Sequence, residues 1–398
     1  MSTLSERLTM ARKAAGVSQE NAARHLGISR PTYIAIEKGS RDVKPGELIV
    51  LASLFKTQVN RLVRPEAPTP SISPHLRGDI STTESDAGLN EAIDKLTAFV
   101  DDYQFLLEKA NSRLVPVIVP PQIERSEISV DQLAGRIAQN ERSKLGLGQR
   151  EPIGNLRKTL DEVGVHVFVD ALNSRLAGLY AYVPNFGYCI LVNRLHPLDR
   201  MRWTIAHEYG HFLFDRDKPG VDYLSVPTRK SYSEQFADAF AANFLMPTEG
   251  VRRQFEDAKL RSGDVNVGDI CRIADFYGVS LMATTLRMES MKLIRQGTWD
   301  FLRQSGVKVR DIKLEAGLKP EAMKPRIETF PERYILLAIQ AWNSEEISTS
   351  QFAKLLRCSP IEARERAEIR SKSIIDTDDM EISVRLDKSV LGRGNATA

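Results

Sequence analysis

The stretch Trp203–Phe214, WTIAHEYGHFLF, decides how the rest of the chain is read. It contains His207-Glu208-Tyr209-Gly210-His211, the HExxH pattern. Residues four apart on a helix lie one above the other on the same face, so these two imidazoles can reach a single metal ion. Glu208 then stands beside the open coordination position. A zinc hydrolase is built this way: the ion acidifies a water and the carboxylate removes its proton. Five residues are a loose match, and two polar histidines on a half-exposed helix would satisfy it as well. The flanks narrow the choice. Trp203, Ile205, Ala206, Phe212, Leu213 and Phe214 make the helix apolar, which puts the imidazoles in a buried element where they need partners.

A third ligand is expected on a second helix. Ser233–Pro247, SEQFADAFAANFLMP, has Phe236, Ala237, Phe240, Ala241, Phe244 and Leu245 at helical spacing. Glu234 opens it, twenty-three residues after His211, with Asp238 one turn later on the same face. That separation suffices for a loop and a return, so Glu234 is the candidate third ligand and Asp238 the candidate acceptor of a ring N–H from a ligand histidine. By itself Glu234 is a solvated first-turn glutamate that suits the helix dipole; its meaning comes from the first helix.

HEYGH followed by E-x-x-A-D-x-F-A-x-x-F-L-M-P at Glu234–Pro247 resembles the ImmA/IrrE family of zinc-dependent endopeptidases. Tyr188–Asn193 (YCILVN) and Arg200–His207 (RMRWTIAH) resemble that family's strand-then-helix approach to the site. The likeness covers about residues 126–295. It implies a gluzincin-like site on Zn2+, with His207, His211 and Glu234 as ligands and Glu208 as general base. Phe244 stands where the family more often has leucine, a conservative departure.

The chain has 398 residues, 42% hydrophobic and 27% charged, which suggests two to four domains with sizeable cores. No apolar run is long enough for a membrane span, and the N-terminal residues lack the apolar core of a secretion signal. Cys189, Cys271 and Cys358 are scattered and odd in number, as expected of reduced thiols in a cytoplasmic protein. Charge is unevenly placed. Residues 1–66 hold 11 Lys and Arg against 6 Asp and Glu, while the remainder is slightly acidic. A polyanionic partner is therefore expected at the N-terminus.

Residues 5–62 read as four or five short helices. Ser18 caps QENAARHLG, and Ser29 caps RPTYIAIEKG with Pro31 tolerated in its first turn. The pair makes a helix-turn-helix. Ser18–Ala23 and Ser29–Gly39 (SRPTYIAIEKG) resemble the XRE, or phage-repressor-like, DNA-binding family. That resemblance implies that the helix from Ser29 enters the major groove of double-stranded operator DNA. Arg30, Thr32, Ile34 and Ala35 are then the expected base readers, and Gln19, Lys38, Arg41 and Lys44 the expected phosphate holders. Tyr33 and Ile36 read as core. A small helical protein-binding module is the alternative.

The fold class expected is multi-domain and mainly α with a small β-sheet: the helix-turn-helix at 1–66, a Pro-rich linker at 67–88, an amphipathic helix and connector at 89–125, a zincin-like α+β domain at 126–296, a helical module at 297–370 and a tail at 371–398. In the helix at 89–111, Leu89, Ile93, Leu96, Val100, Tyr103 and Leu107 fall at heptad spacing. That face can be the seam of a homodimer. Alternatively it packs against the peptidase domain, since Phe99, Phe105 and Leu106 widen the stripe. Val115–Pro121 reads as extended. Strands are expected at Val165–Val169, Ala177–Val183 and Tyr188–Val192, making a small sheet whose edge can take a substrate peptide by strand addition. His166 and His196 could approach the zinc, though each is more simply a strand or loop residue. Tyr223 and Tyr232 are candidate transition-state donors, and the loop Asp215–Tyr232 could cover the cleft.

Two functions remain from different classes. One is a DNA-binding regulator that is also a zinc endopeptidase, cutting a partner protein; in this family the substrates are typically helix-turn-helix repressors, cut on stress or mobile-element signals. The other is a regulator or antitoxin-like protein whose zincin fold senses a ligand or partner without cutting.

Overall fold

Serine and threonine caps set the helix starts of the N-terminal part. The computed structural model describes residues 3–55, 57, 59–63, 83–114, 128–173, 176–183, 186–215, 220–223, 231–306, 308–318 and 328–370. Two units separate, Met1–Ser71 and Ile72–Ala398.

Among the described residues, the first unit has five helices: α1 (Leu4–Ala14), α2 (Gln19–His25), α3 (Arg30–Glu37), α4 (Pro45–Leu54) and α5 (Val59–Val63). Thr3, Ser18 and Ser29 each accept a backbone N–H two or three residues into the helix they precede. Gly27 adopts φ +66° between α2 and α3, a conformation that admits glycine readily and turns the chain sharply. Leu8, Ala22, Ala23, Tyr33, Ile36, Leu51 and Leu62 form the core. Arg7 closes the unit by donating to the carbonyls of Leu62 and Val63.

The second unit is built on a four-stranded sheet. Its helices before the sheet are α6 (Thr83–Lys109), α7 (Val130–Lys144) and α8 (Leu156–Asp161). The strands are β1 (Val165–Asp170), β2 (Leu176–Val183), β3 (Gly187–Asn193) and, after α9 (Leu198–Asp215), β4 (Gly220–Tyr223). Then come α10 (Tyr232–Leu245), α11 (Thr248–Ser262), α12 (Val267–Tyr277), α13 (Leu281–Ser290), α14 (Thr298–Gln304), α15 (Val309–Glu315), α16 (Glu332–Asn343) and α17 (Thr349–Leu355). Strand order is β1-β3-β2-β4, with β1 parallel to β3 and β2 antiparallel to both its neighbours. Among the described residues the chain is thus mainly helical with one small sheet.

Both faces of the sheet are covered, which is why its strands are nearly continuous apolar runs rather than alternating ones. Val165, Val167, Val169, Tyr180, Tyr188, Ile190 and Val192 face a core shared with α9 and α10. Phe168, Leu179, Ala181, Val183, Cys189 and Leu191 face a second core shared with α6, α16 and α17. The helix at 89–111 and the stretch from 330, expected as a connector and a separate module, therefore pack together on the far side of the sheet. This overturns the dimer seam. Leu89, Leu96, Val100, Tyr103 and Leu107 are buried inside the chain, and Ile93 packs against the same core. The heptad stripe is filled by the chain's own sheet and helices.

The β1 edge is closed as well. Val169 N–H donates to Thr329 O at 2.9 Å. Arg157 donates to Val167 O, Glu328 O and Thr329 O, and Arg194 to Val169 O. Strand addition cannot take place there; the β2 side, where β4 pairs, is the remaining edge. Residues 67–82 of the expected linker, the extended Val115–Pro121 segment, the 371–398 tail and most of the Asp215–Tyr232 loop lie outside the described residues, while from Thr83 the last residues of that expected linker belong to α6. Among those described, no helix is long and apolar enough to cross a membrane.

Candidate metal centre

α9 and α10 cross where side chains are smallest. A Cβ on Gly210 would stand 3.1 Å from Ala237 Cα and 3.2 Å from Phe240 Cδ1, so only glycine allows this approach without the helices giving way. Ser231 accepts the Glu234 N–H at 3.2 Å and fixes the start of α10, which leaves Glu234 in the first turn, facing α9. At the other end of α10 the buried Arg142 donates to Phe244 O at 2.6 Å, and its Nε holds Gly148 O at 2.9 Å. Tyr209, inside the HExxH segment, donates to Glu141 Oε2 on α7 at 2.9 Å. α9 and α10 are thus each tied to α7.

This crossing brings His207, His211 and Glu234 into one group. His207 Nε2 and His211 Nε2 are 3.1 Å apart, His207 Nε2 is 3.3 Å from Glu234 Oε2, and His211 Nε2 is 3.3 Å from Glu234 Oε1. The outer ring nitrogens are occupied elsewhere. His207 Nδ1 lies 3.1 Å from Asp238 Oδ1, and His211 Nδ1 lies 3.2 Å from Ser233 Oγ. An ionised carboxylate only accepts, so the His207 proton sits on Nδ1 and Nε2 presents a lone pair. With His211 protonated in the same sense, two lone pairs confront each other in a buried place, an arrangement that a cation between them relieves. Zinc bonds of ~2.0–2.1 Å in tetrahedral geometry require donor atoms about 3.3 Å apart. The three observed separations match that edge, so the donor set fits zinc in number, chemistry and spacing.

With no cation between them, protonated His207 and His211 would hold the Glu234 carboxyl well below the usual carboxylate range in spite of its burial, which by itself raises it; a cation would take over that role. Glu208, one position along from His207, is buried on the same helix.

The remaining expected residues fall as follows. His166 is fully buried on the other face of the sheet, with Nδ1 2.6 Å from Asp161 Oδ1 and its ring against Tyr103 and Phe186. It is a core histidine, separated from the donors by the sheet. His196 lies in the turn after β3 and is not one of the three donor groups. Tyr223 is in β4, and Tyr232 starts α10 with its ring 5.6 Å from that of Phe214. Ser233 and Gly210 carry roles that sequence reading did not assign. Their only signals were adjacency to a ligand and a small residue inside a helical, apolar stretch.

In the first unit, α3 presents Arg30 on its exposed first turn, and Lys38 and Lys44 are exposed after it. Thr32 Oγ1 is 2.7 Å from the capping Ser29 Oγ, while Ile34 and Ala35 are half-buried. Two of the expected phosphate holders also have partners inside the domain. Gln19 donates to Glu37 at 2.8 Å beside Arg12, and Arg41 donates twice to Glu47, at 3.2 and 2.7 Å. Both carboxylates are partly buried, so these cations and amides serve first to neutralise and satisfy them.

Residues 160–289 match the family profile described as an IrrE N-terminal-like domain, of peptidase family M78, and residues 3–63 match one described as a helix-turn-helix domain. No curated protein matches the chain. Both matches fall on the stretches whose motifs were read above. The chain therefore combines a DNA-binding helix-turn-helix domain with a metallopeptidase-like domain.

Proposed function

We propose that the chain is a transcriptional regulator whose second domain is a zinc endopeptidase, cutting a partner protein such as a helix-turn-helix repressor. The observation that carries this reading is the trio of donor atoms at tetrahedral spacing beside a buried glutamate. His207, His211 and Glu234 would hold the ion, and Asp238 and Ser233 orient the two rings. A bound zinc would supply Lewis-acid chemistry there, polarising a peptide carbonyl and lowering the pKa of a water. Glu208, buried beside the donors, would accept a proton from the attacking water, leaving hydroxide to add to the carbonyl, and would pass that proton to the leaving amine. A sensor without peptidase activity has no use for a buried carboxylate at that position, which favours cleavage over the non-cutting alternative.

The DNA-binding domain gives the peptidase an address. A repressor bound at the same promoter meets the site at raised local concentration, without new contacts. The deciding experiment incubates the purified, zinc-loaded chain with repressors encoded beside its own gene and sequences the new N-termini. A single zinc-dependent cut in one repressor is expected; intact repressors under every condition would leave the non-cutting regulator standing.

Two further outcomes test the parts. Asp238→Ala should weaken zinc binding about 10–100-fold, the usual cost of losing a partner that orients a ligand; equilibrium competition against a chelator measures it, and unchanged affinity would detach Asp238 from the centre. Arg30→Ala should narrow the gap between operator and random DNA by about 1–3 kcal/mol, whereas Lys44→Ala should weaken both alike and flatten the salt dependence. Titrations at several salt concentrations with the full chain separate the two effects.

A further inference from the structure

The donor atoms of His207, His211 and Glu234 keep their spacing only while α9 keeps its rotation about its own axis. Two residues along a helix turn the side chain by about 200°, so Tyr209 leaves α9 on the far side from His207 and His211. Its ring is buried against Phe212 and against Phe240 and Phe244 of α10, with centroids 5.6, 5.8 and 5.7 Å away. Beyond these rings its hydroxyl donates to Glu141 Oε2 at 2.9 Å. A turn of α9 by about 10° would carry a side-chain tip by about 1 Å, more than a metal site tolerates. Ring packing is non-directional and yields to such a turn; a hydrogen bond to a fixed acceptor does not.

Glu141 is itself fixed. It is 6% exposed, and Lys144, one turn later, holds its other oxygen, Oε1, at 2.6 Å. The next residue, Arg142, is buried and donates to Phe244 O in the last turn of α10, where helix carbonyls lack partners of their own. Adjacent residues of α7 thus hold the two helices that carry the donors, one each. α7 ends at Lys144, ahead of residue 160 where the peptidase-family match begins, so this pair lies outside the matched segment.

We infer that Glu141 is a positioning residue for the metal centre: acting through Tyr209, it sets the rotation of α9 and so the direction in which His207 and His211 present Nε2. This rests on the zinc centre proposed above.

Zinc affinity by chelator competition and the visible spectrum of the Co2+-loaded full chain test it, beside melting of the metal-free chain. Glu141→Leu and Tyr209→Phe should each weaken zinc binding about tenfold, the lower end of what an orienting partner contributes, and both should shift the Co2+ d–d bands, which follow ligand geometry. The double variant should lose no more than either single one, since all three remove the same contact. Glu141→Gln, which still accepts the Tyr209 proton, should stay near wild type. Tyr209→Phe, which removes one oxygen and no packing, with unchanged zinc affinity and Co2+ bands overturns the inference, whatever Glu141→Leu does to melting. Additive losses in the double variant, or Glu141→Gln losing as much as leucine, overturn it too. A wild-type chain holding neither zinc nor Co2+ would bring down the metal centre and this inference with it. Metal held without any cleavage would bring down the peptidase reading alone.

Discussion

Glu208→Gln should keep its zinc and its stability and lose cleavage by roughly a hundredfold or more, the usual contribution of a general base. The carboxylate is buried on α9, next to one donor histidine and one turn before the other. The amide has nearly the same shape, so packing against the neighbouring helices is preserved. The three donor groups, His207, His211 and Glu234, are untouched. What disappears is a group able to take a proton from water. Metal content measured beside cleavage of the repressor makes the result interpretable: zinc retained with cutting lost assigns the base. Zinc retained with cutting at the wild-type rate would move that role to another residue. His211→Ala makes the complementary case, since removal of a donor should strip most of the zinc, and full retention there would dismantle the centre itself.

The donor group was legible because its logic is local. A four-residue spacing on one helix is fixed by helix geometry alone, and Glu234 needed only a second apolar helix within reach. Ser18 and Ser29 were readable for the same reason: caps act within three residues. Contacts between distant segments were not readable. Nothing in Glu328–Phe330 announces that Thr329 will seal β1, and nothing in Arg157 or Arg194 says that their guanidiniums will hold backbone carbonyls there. The pairing of Gln19 with Glu37 and of Arg41 with Glu47 was hidden in the same way. On the surface of a basic domain such residues read as phosphate contacts, and a partner carboxylate from another helix leaves no mark in the local sequence.

The stripe on α6 shows a subtler limit. Over five or six positions a seven-residue repeat and an ordinary buried helix face cannot be told apart, because the two periods drift by only about 20° per heptad. Width decided it: Phe99 and Leu106 lie outside a strict seam, and both are fully buried. A stripe that wide needs more than one helix to cover it, and the sheet with α16 and α17 does so.

Phe99→Ala should accordingly destabilise the second unit rather than dissociate a dimer. The ring stacks on Phe168 of β1 at 5.1 Å, meets Phe330 edge-on at 5.3 Å and lies under the Arg357 guanidinium at 3.9 Å. Truncation removes all three contacts and leaves a cavity between helix and sheet. Such changes cost about 3–5 kcal/mol, and a body of this size then melts roughly 6–20 °C lower. Calorimetry and sedimentation together distinguish the two packings. Intramolecular packing predicts a lower melting temperature with the same sedimentation coefficient as wild type at low temperature. A seam between copies predicts weaker association with the melting of the single chain left in place. Because β1 and β3 carry this core on one face and pack against α9 on the other, loosening Phe99 should also raise the rate at which zinc is lost on heating, even though no donor is touched.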